Sequence, residues 1–273
     1  MQPELNLDSY LQRIGYFGPR VVSLDVLSAL HGLHPRAIPF ENLDPLMGVT
    51  PRLDLDSLQA KLITSRRGGY CYEQNGLLEA ALRAMGFQVE GLAARSQWGL
   101  PPEKINPRTH KLLKVTLPEG EFQVDVGFAS MTQTGPLRLE VGIEQAVGGA
   151  TYRFAPLDGG ELLLQTYLAD GWSPMYRFTQ QPLHPIDYEL ANWYVATHPS
   201  SQFVNNLLAA FVGVDRRYAL VNQRLSIYHF DGRQERRTLS GAEIDTLLHD
   251  TFALARPGNP QARAALYARI AAA

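Results

Sequence analysis

The segment Arg66-Arg67-Gly68-Gly69-Tyr70-Cys71-Tyr72-Glu73-Gln74-Asn75 holds the only cysteine of the chain, at the junction of two helical patterns. Upstream, Leu58, Leu62 and Ile63 keep helical spacing, with Asp56 or Ser57 as the expected N-cap and Gly68-Gly69 as the stop. Downstream, Leu77, Leu78, Ala81, Leu82 and Met85 keep the same period as far as Gly86, so a new helix is expected to start near Cys71. A thiol there faces the positive end of the helix dipole, which favours thiolate, and Arg66 and Arg67 are expected to add to that field. Free N–H groups of the first turn are placed to hold a developing oxyanion. A buried structural cysteine is the plainer alternative.

Working outward, the first 85 residues read as helical. Leu7, Tyr10, Leu11 and Ile14 form a stripe ending at Gly15, and Leu24, Leu27 and Leu30 form another, expected to stop at Pro35 and Pro39. From about residue 87 to 178 the period changes. Phe122, Val124, Val126 and Phe128 alternate with polar residues, and Pro118-Glu119-Gly120 makes a hairpin turn back to residues 111–117. Asp158-Gly159-Gly160 and Asp170-Gly171 divide further strand-like runs, so an antiparallel sheet or barrel is expected. The last hundred residues mix types. Residues 187–197 read as a helix stopped before Pro199, and residues 218–239 as one hairpin around Asp231-Gly232. Ser240 with Glu243 forms a capping box opening a helix through Leu254, and Pro260 opens a final Ala-rich helix. Helices, then strands, then a mixed end predict an α+β protein with subdomains.

Composition narrows the function. At 273 residues, 45% apolar and 19% charged, the chain has globular composition, and a net charge of −2 offers no basic field for nucleic acid or an anionic membrane. No apolar run is long enough for a bilayer, and residues 1–11 lack a signal-peptide pattern. One cysteine rules out an internal disulfide and a four-cysteine zinc site; no metal is expected, and the default location is cytoplasmic.

A cysteine nucleophile needs a base, and the base needs an orienting group. Of seven histidines, six (His31, His34, His184, His198, His229 and His249) show no evident carboxylate opposite them. His110 begins the strand whose return strand carries Asp125, an acid set between Val124 and Val126, where it is expected to be paired. A two-residue loop at Pro118-Glu119 pairs Leu117 with Gly120 and puts His110 and Asp125 on one face, a diagonal step apart. A three-residue loop puts them on opposite faces, and the sequence leaves both registers open.

Five segments then resemble one family, the arylamine N-acetyltransferases. They are Ile38-Pro39-Phe40-Glu41-Asn42-Leu43-Asp44, Arg67 through Asn75, Thr109-His110-Lys111-Leu112-Leu113, Val124-Asp125-Val126-Gly127-Phe128, and Asn192-Trp193-Tyr194 through Thr197-His198-Pro199-Ser200. The resemblance implies a Cys-His-Asp triad on Cys71, His110 and Asp125. It also implies three parts: an N-terminal helical bundle (1–86) carrying the nucleophile, a central antiparallel β-barrel (87–186) carrying His and Asp, and a C-terminal α/β lid (187–273). The implied donor is acetyl-CoA, with contacts in the loop before His110 and at Trp98, Gly127, Tyr194, Ser200 and Phe203. Phe40 and Phe128 would line the acceptor pocket. The implied reaction moves acetyl to the nitrogen of small aromatic amines or hydrazines by a ping-pong acetyl-cysteine route, as in xenobiotic metabolism. Two residues depart from the family pattern. Ala129 stands where glycine is usual, and its Cβ makes φ > 0 less available. Tyr72 stands where phenylalanine is frequent and adds a hydroxyl that needs a partner. The alternatives are an amide synthase or cysteine hydrolase using the same triad, and a binding protein in which the triad is vestigial. Thiol reactivity separates the last from the others.

Overall fold

The computed structural model describes residues 4–101, 103–256 and 258–271. The first three residues of the polar N-terminal run lie outside them. The expected apolar stripes form α1 (Leu7–Ile14), whose first turn Asn6 caps, and α2 (Leu24–Ala37), capped by Ser23. Contrary to expectation, α2 runs through Pro35. Proline in the last turn removes only one late donor, and the helix closes when the Ile38 N–H bonds to the His34 carbonyl at 2.8 Å. There follow a short strand β1 (Phe40–Glu41), α3 (Leu43–Leu46) and α4 (Leu55–Leu58). The cap of α4 is Asp54, earlier than either expected residue: its carboxylate accepts from both the N–H and the hydroxyl of Ser57. The chain widens into π-helical turns over Gln59–Thr64 and ends before Arg66, at φ +49°, short of the glycines expected to stop it. Then comes α5 (Cys71–Ala84).

The middle of the chain is an antiparallel sheet of β2 (Gln88–Ser96), β3 (His110–Leu117), β4 (Gly120–Val124), β5 (Leu137–Arg138), β6 (Gln145–Val147), β7 (Ala150–Pro156), β8 (Leu162–Leu168) and β9 (Gly171–Phe178). The order is β5-β4-β3-β2-β9-β8-β7-β6. Its two edges meet: the Gln145 side chain accepts from the Arg138 N–H at 2.8 Å and donates to the Arg138 carbonyl at 3.0 Å, closing the sheet into a barrel. Alternation decides the two faces. Leu113, Val115, Phe122 and Val124 pack against Tyr10, Leu27, Leu78 and Leu82 of the helices, whereas Leu112, Tyr152, Phe154, Leu164 and Tyr176 fill the barrel.

The C-terminal part holds α6 (Pro185–Thr197), α7 (Gln202–Asn205), β10 (Leu208–Val212), β11 (Arg216–Val221), β12 (Arg224–His229), β13 (Gln234–Thr238), α8 (Gly241–Thr246) and α9 (Pro260–Ala271). The expected single hairpin is three strands. A second tight turn at Asn222-Gln223, with Asn222 at φ +53°, joins Val221 to Arg224. The capping box of α8 is present, with the Glu243 carboxylate accepting from the Ser240 N–H at 2.8 Å. Its π-helical continuation stops at Thr251, because Ala253 turns to φ +53° before Leu254 is reached. One edge of this sheet comes from the N-terminal part: β1 pairs with β10, Phe40 opposite Ala210. The fold is α+β, with N-terminal helices, a central antiparallel barrel and a C-terminal α/β lid. Among the described residues no helix is long and apolar enough to cross a membrane.

Candidate active site

The junction at Gly68-Gly69 is tight for a reason the backbone makes plain. A Cβ on Gly68 would stand 2.2 Å from the Pro39 carbonyl oxygen. Without it, Gly69 lies beside Phe40, its carbonyl accepting the Glu41 N–H at 3.1 Å. The chain then enters α5 with Tyr70 as N-cap, and the Glu73 carboxylate accepts the Tyr70 N–H at 3.1 Å. Glu73 is paired in turn with Lys61 at 2.6 Å, and Lys61 with Asp44 at 2.6 Å. Arg67 does not serve the role expected of it. Its guanidinium is held by Glu41 at 2.8 Å and Asp44 at 2.7 Å, so its charge is neutralised in this network and adds little field at the thiol.

Cys71 occupies the first position of α5, 3% exposed, and its thiol points toward the Thr109 carbonyl at 3.7 Å. Thr109 precedes the strand that begins with His110. The hairpin has the two-residue loop, Leu117 opposite Gly120 and Leu113 opposite Val124, so Asp125 follows on the His110 face. His110 Nε2 lies 2.7 Å from Asp125 Oδ2. That leaves Nδ1 for the thiol, which His110 also contacts. Asp125 is fully buried and its other oxygen is saturated: Asn75 Nδ2 donates to Oδ1 at 2.9 Å and the Gly127 N–H at 2.8 Å. His31 Nε2 meets the Asp125 carbonyl at 3.1 Å. Asn75 further donates to the Lys111 carbonyl at 2.7 Å and accepts the Val126 N–H at 3.1 Å, so it joins α5 to both strands. A Cβ on Gly127 would lie 2.7 Å from the Cys71 Cα, so glycine is what lets this loop close on the helix start.

Charge follows from these contacts. Burial alone pulls the His110 pKa down, but the Asp125 charge and hydrogen bond, with Cys71, outweigh it and push it up to about 10. Burial raises the Asp125 pKa, but the His110 charge and the bonds from His110, Asn75 and Gly127 hold it below the usual carboxylate value. The site is therefore built to keep an imidazolium between a carboxylate and a thiol. His31 is the opposite case: burial drives it down to about 4, so it stays neutral.

A cavity of about 270 Å³ opens on Cys71 and His110. Of the residues singled out from sequence, Phe40, Trp98, Gly127, Phe128 and Phe203 line it. Phe128 meets the His110 ring edge-on at 5.1 Å, and Trp98 meets Phe128 at 6.5 Å. Tyr194 and Ser200 do not line it. Both gather around His198, Tyr194 stacked on its ring at 4.5 Å and Ser200 Oγ 2.8 Å from its Nδ1. The Tyr72 hydroxyl is buried, with no partner among the described residues. Ala129, which also lines the cavity, corrects the expectation drawn from its Cβ: it does adopt positive φ, at +45°. That conformation costs an L-residue roughly 1–2 kcal/mol, of which glycine's greater chain entropy gives back about 0.5–1. Ala129→Gly is therefore expected to stabilise the fold by about 0.5 kcal/mol and leave KM for the acyl donor unchanged or lower. Urea unfolding and initial rates check this; a marked rise in KM would mean the loop has repacked around the methyl group.

Two other histidines do have carboxylates, against the expectation for them. His229 Nε2 lies 2.6 Å from Glu235, and His249 Nε2 3.2 Å from Asp245, but neither is beside a cysteine. The residue that sequence reasoning missed is Asn75. Its signal was available, because it follows Cys71 by four residues and so shares its face of the helix.

An N-acetyltransferase family model matches residues 23–257. The arylamine N-acetyltransferase of Mycobacterium tuberculosis is 41% identical over 254 residues, covering 92% of this chain and 89% of that one. The chain belongs to the arylamine N-acetyltransferase family. The Escherichia coli arylamine N-acetyltransferase is 38% identical over 256 residues, covering 93% of this chain and 90% of its own. Among solved structures, the arylamine N-acetyltransferase of Mycobacterium marinum superimposes with a TM-score of 0.94 at 40% identity, covering 97% of this chain and 100% of that one. The same enzyme in complex with CoA gives 0.93 at 39%, covering 97% and 99%. Membership makes this chain an acyltransferase, and the eight-stranded barrel with its helices is the architecture of its relatives.

Proposed function

We propose that this N-acetyltransferase moves acetyl from acetyl-CoA to the nitrogen of an arylamine or arylhydrazine, with Cys71 as nucleophile, His110 as acid and base, and Asp125 as the orienting group. The carrying observation is the His110 imidazole held between the Asp125 carboxylate and the Cys71 thiol at one wall of the cavity. The Cys71 thiolate adds to the thioester carbonyl. First-turn N–H groups of α5 hold the oxyanion. The carbon–sulfur bond to CoA breaks, CoA leaves with the imidazolium proton, and acetyl-Cys71 remains beside neutral His110. The amine nitrogen then adds to that carbonyl, His110 takes its proton, and the Cys71–carbon bond breaks to restore thiolate and imidazolium.

Trp98, Gly127 and Phe203 would receive the acyl arm of the donor, with Tyr194 in the last turn of α6 and Ser200 on the α6–α7 connection further out. Phe40 and Phe128 give the aromatic ring of the acceptor an apolar wall. The three-part division at residues 86/87 and 186/187 belongs to the same reading. So does a cytosolic place of work, where reducing conditions keep the single nucleophile a thiol.

Incubation with acetyl-CoA alone is expected to add one acetyl to Cys71 by intact mass. Double-reciprocal plots at several amine concentrations are expected to run parallel. Intersecting lines would reject the covalent route in favour of direct transfer. Rapid acetyl-CoA hydrolysis without amine would favour the hydrolase reading instead.

A further inference from the structure

Arg217, in β11, is a buried cation. It is 4% exposed, and among the described residues no carboxylate pairs with it. The other buried lysine or arginine among them, Lys111, is paired with Glu79, and the half-buried Lys61 and Arg67 are paired too, Lys61 with Asp44 and Glu73 and Arg67 with Glu41 and Asp44. The hydrogen-bond and ring contacts of the Arg217 guanidinium are to neutral groups. Nη2 donates to the Gly148 carbonyl at 3.2 Å, Nη1 stands 3.5 Å from the Tyr152 hydroxyl, and the group lies 5.5 Å from the Phe230 ring. Among the described residues, Nε is buried with no acceptor, and the Thr134 hydroxyl is buried with no hydrogen-bond partner. A Cβ built on Gly148 would stand 1.6 Å from Thr134 Oγ1 and 3.7 Å from Arg217 Nη2, so the two polar groups flank one small volume. Arg217 also lines a cavity of about 320 Å³ between the barrel and the C-terminal sheet, walled by Met131, Tyr167, Leu168, Tyr228 and Phe230.

We propose that this cavity binds a small organic monocarboxylate, at a site separate from the one on Cys71. A desolvated guanidinium calls for a counter-charge. Its remaining N–H groups present the fork that a carboxylate accepts. One positive charge suits a monoanion rather than a phosphate dianion. The other basic side chain in the lining, His229, has its Nε2 bonded to Glu235. The aromatic and aliphatic walls suit the apolar body of such an acid. The two cavities are neighbours: Ala219, two residues along the same strand, lines the Cys71 cavity, and Ser130, next to Met131, lines it too.

Benzoate is the probe. Isothermal titration into the full-length protein is expected to give one site, weakened at least about tenfold in Arg217→Met, the loss of one charge-assisted contact. Ala169→Trp, on the exposed turn between β8 and β9 at the mouth of this cavity, is expected to weaken it similarly while acetyl transfer persists. Should Arg217→Met fail to fold, Ala169→Trp carries the test alone. Absence of benzoate binding in the unmodified protein overturns the site. Equal binding in the unmodified protein and Ala169→Trp locates benzoate elsewhere and overturns it too. Tighter binding of inorganic phosphate than of benzoate overturns the carboxylate assignment.

Discussion

Asp125→Asn is expected to slow acylation of Cys71 by acetyl-CoA about 10³- to 10⁴-fold, the scale on which a triad suffers when its imidazole is held in the wrong tautomer. The network forces that outcome. Asn75 and the Gly127 N–H both donate to Oδ1, so the amide oxygen of an asparagine takes that place and its NH₂ faces His110 Nε2. Nε2 then accepts, the ring proton moves to Nδ1, and the thiol loses its base. The same change shows in stability against pH. The His110 pKa is raised from 6.5 to about 10, so its contribution is complete below about 6.5 and is lost as pH rises through about 10. The Asp125 pKa is depressed below 3.8, so the carboxylate's contribution is present above that value and is lost as pH falls through its folded pKa. The deficit of the variant in urea unfolding is therefore greatest near pH 4–6.5 and shrinks on either side. Single-turnover acylation within tenfold of the unmodified enzyme, or a deficit flat from pH 5 to 10, would refute the coupling of Asp125 to the nucleophile.

Cys71→Ser should cost at least about 10⁴ in kcat, since removing the nucleophile removes the covalent route altogether. Serine fits the space. Cys71 packs among Phe40, Tyr70, Tyr72 and Ala93, and a hydroxyl can still donate to the Thr109 carbonyl, so the fold is expected to survive with an unchanged circular dichroism spectrum. A hydroxyl does not ionise against an imidazolium as a thiol does, and so the acyl intermediate never forms. Intact mass after acetyl-CoA incubation reads this directly. A serine variant that turns over within tenfold of the parent while residue 71 carries no acetyl would return Cys71 to a structural role.

Local patterns were legible where one element fixes its own geometry. The α5 start, the hairpin at Pro118-Glu119 and the capping box at Ser240 all follow from nearest neighbours. The His110–Asp125 register needed one fact the sequence lacks, whether the loop holds two residues or three. What sequence missed depends on distant chain. Arg67 reads as a field source beside Cys71 until Glu41 and Asp44 fold over it. Phe40 and Glu41 read as part of a helical region, because their strand partner, β10, lies some 170 residues later. Asn222-Gln223 carries no glycine, so its turn was hidden inside an apparently continuous run. Ala129 at positive φ is held by its surroundings against its own preference, which no local rule reports.

The two residues of β1 have a bearing on how this protein is made. Phe40 touches Gly69 on one side and Ala210 on the other, and both Phe40 and β11 line the cavity that opens on Cys71. A nascent chain that has released its first 86 residues from the ribosome already holds Cys71 but has nothing to pair with the outer edge of Phe40. Until Leu208–Val212 emerges, the wall of the cavity is missing and the thiol stands open to water and oxidants. Synthesis therefore leaves the Cys71 thiol without this wall until Val212 is out, and a ribosome stalled in the barrel would release a chain that carries the thiol with no chamber around it.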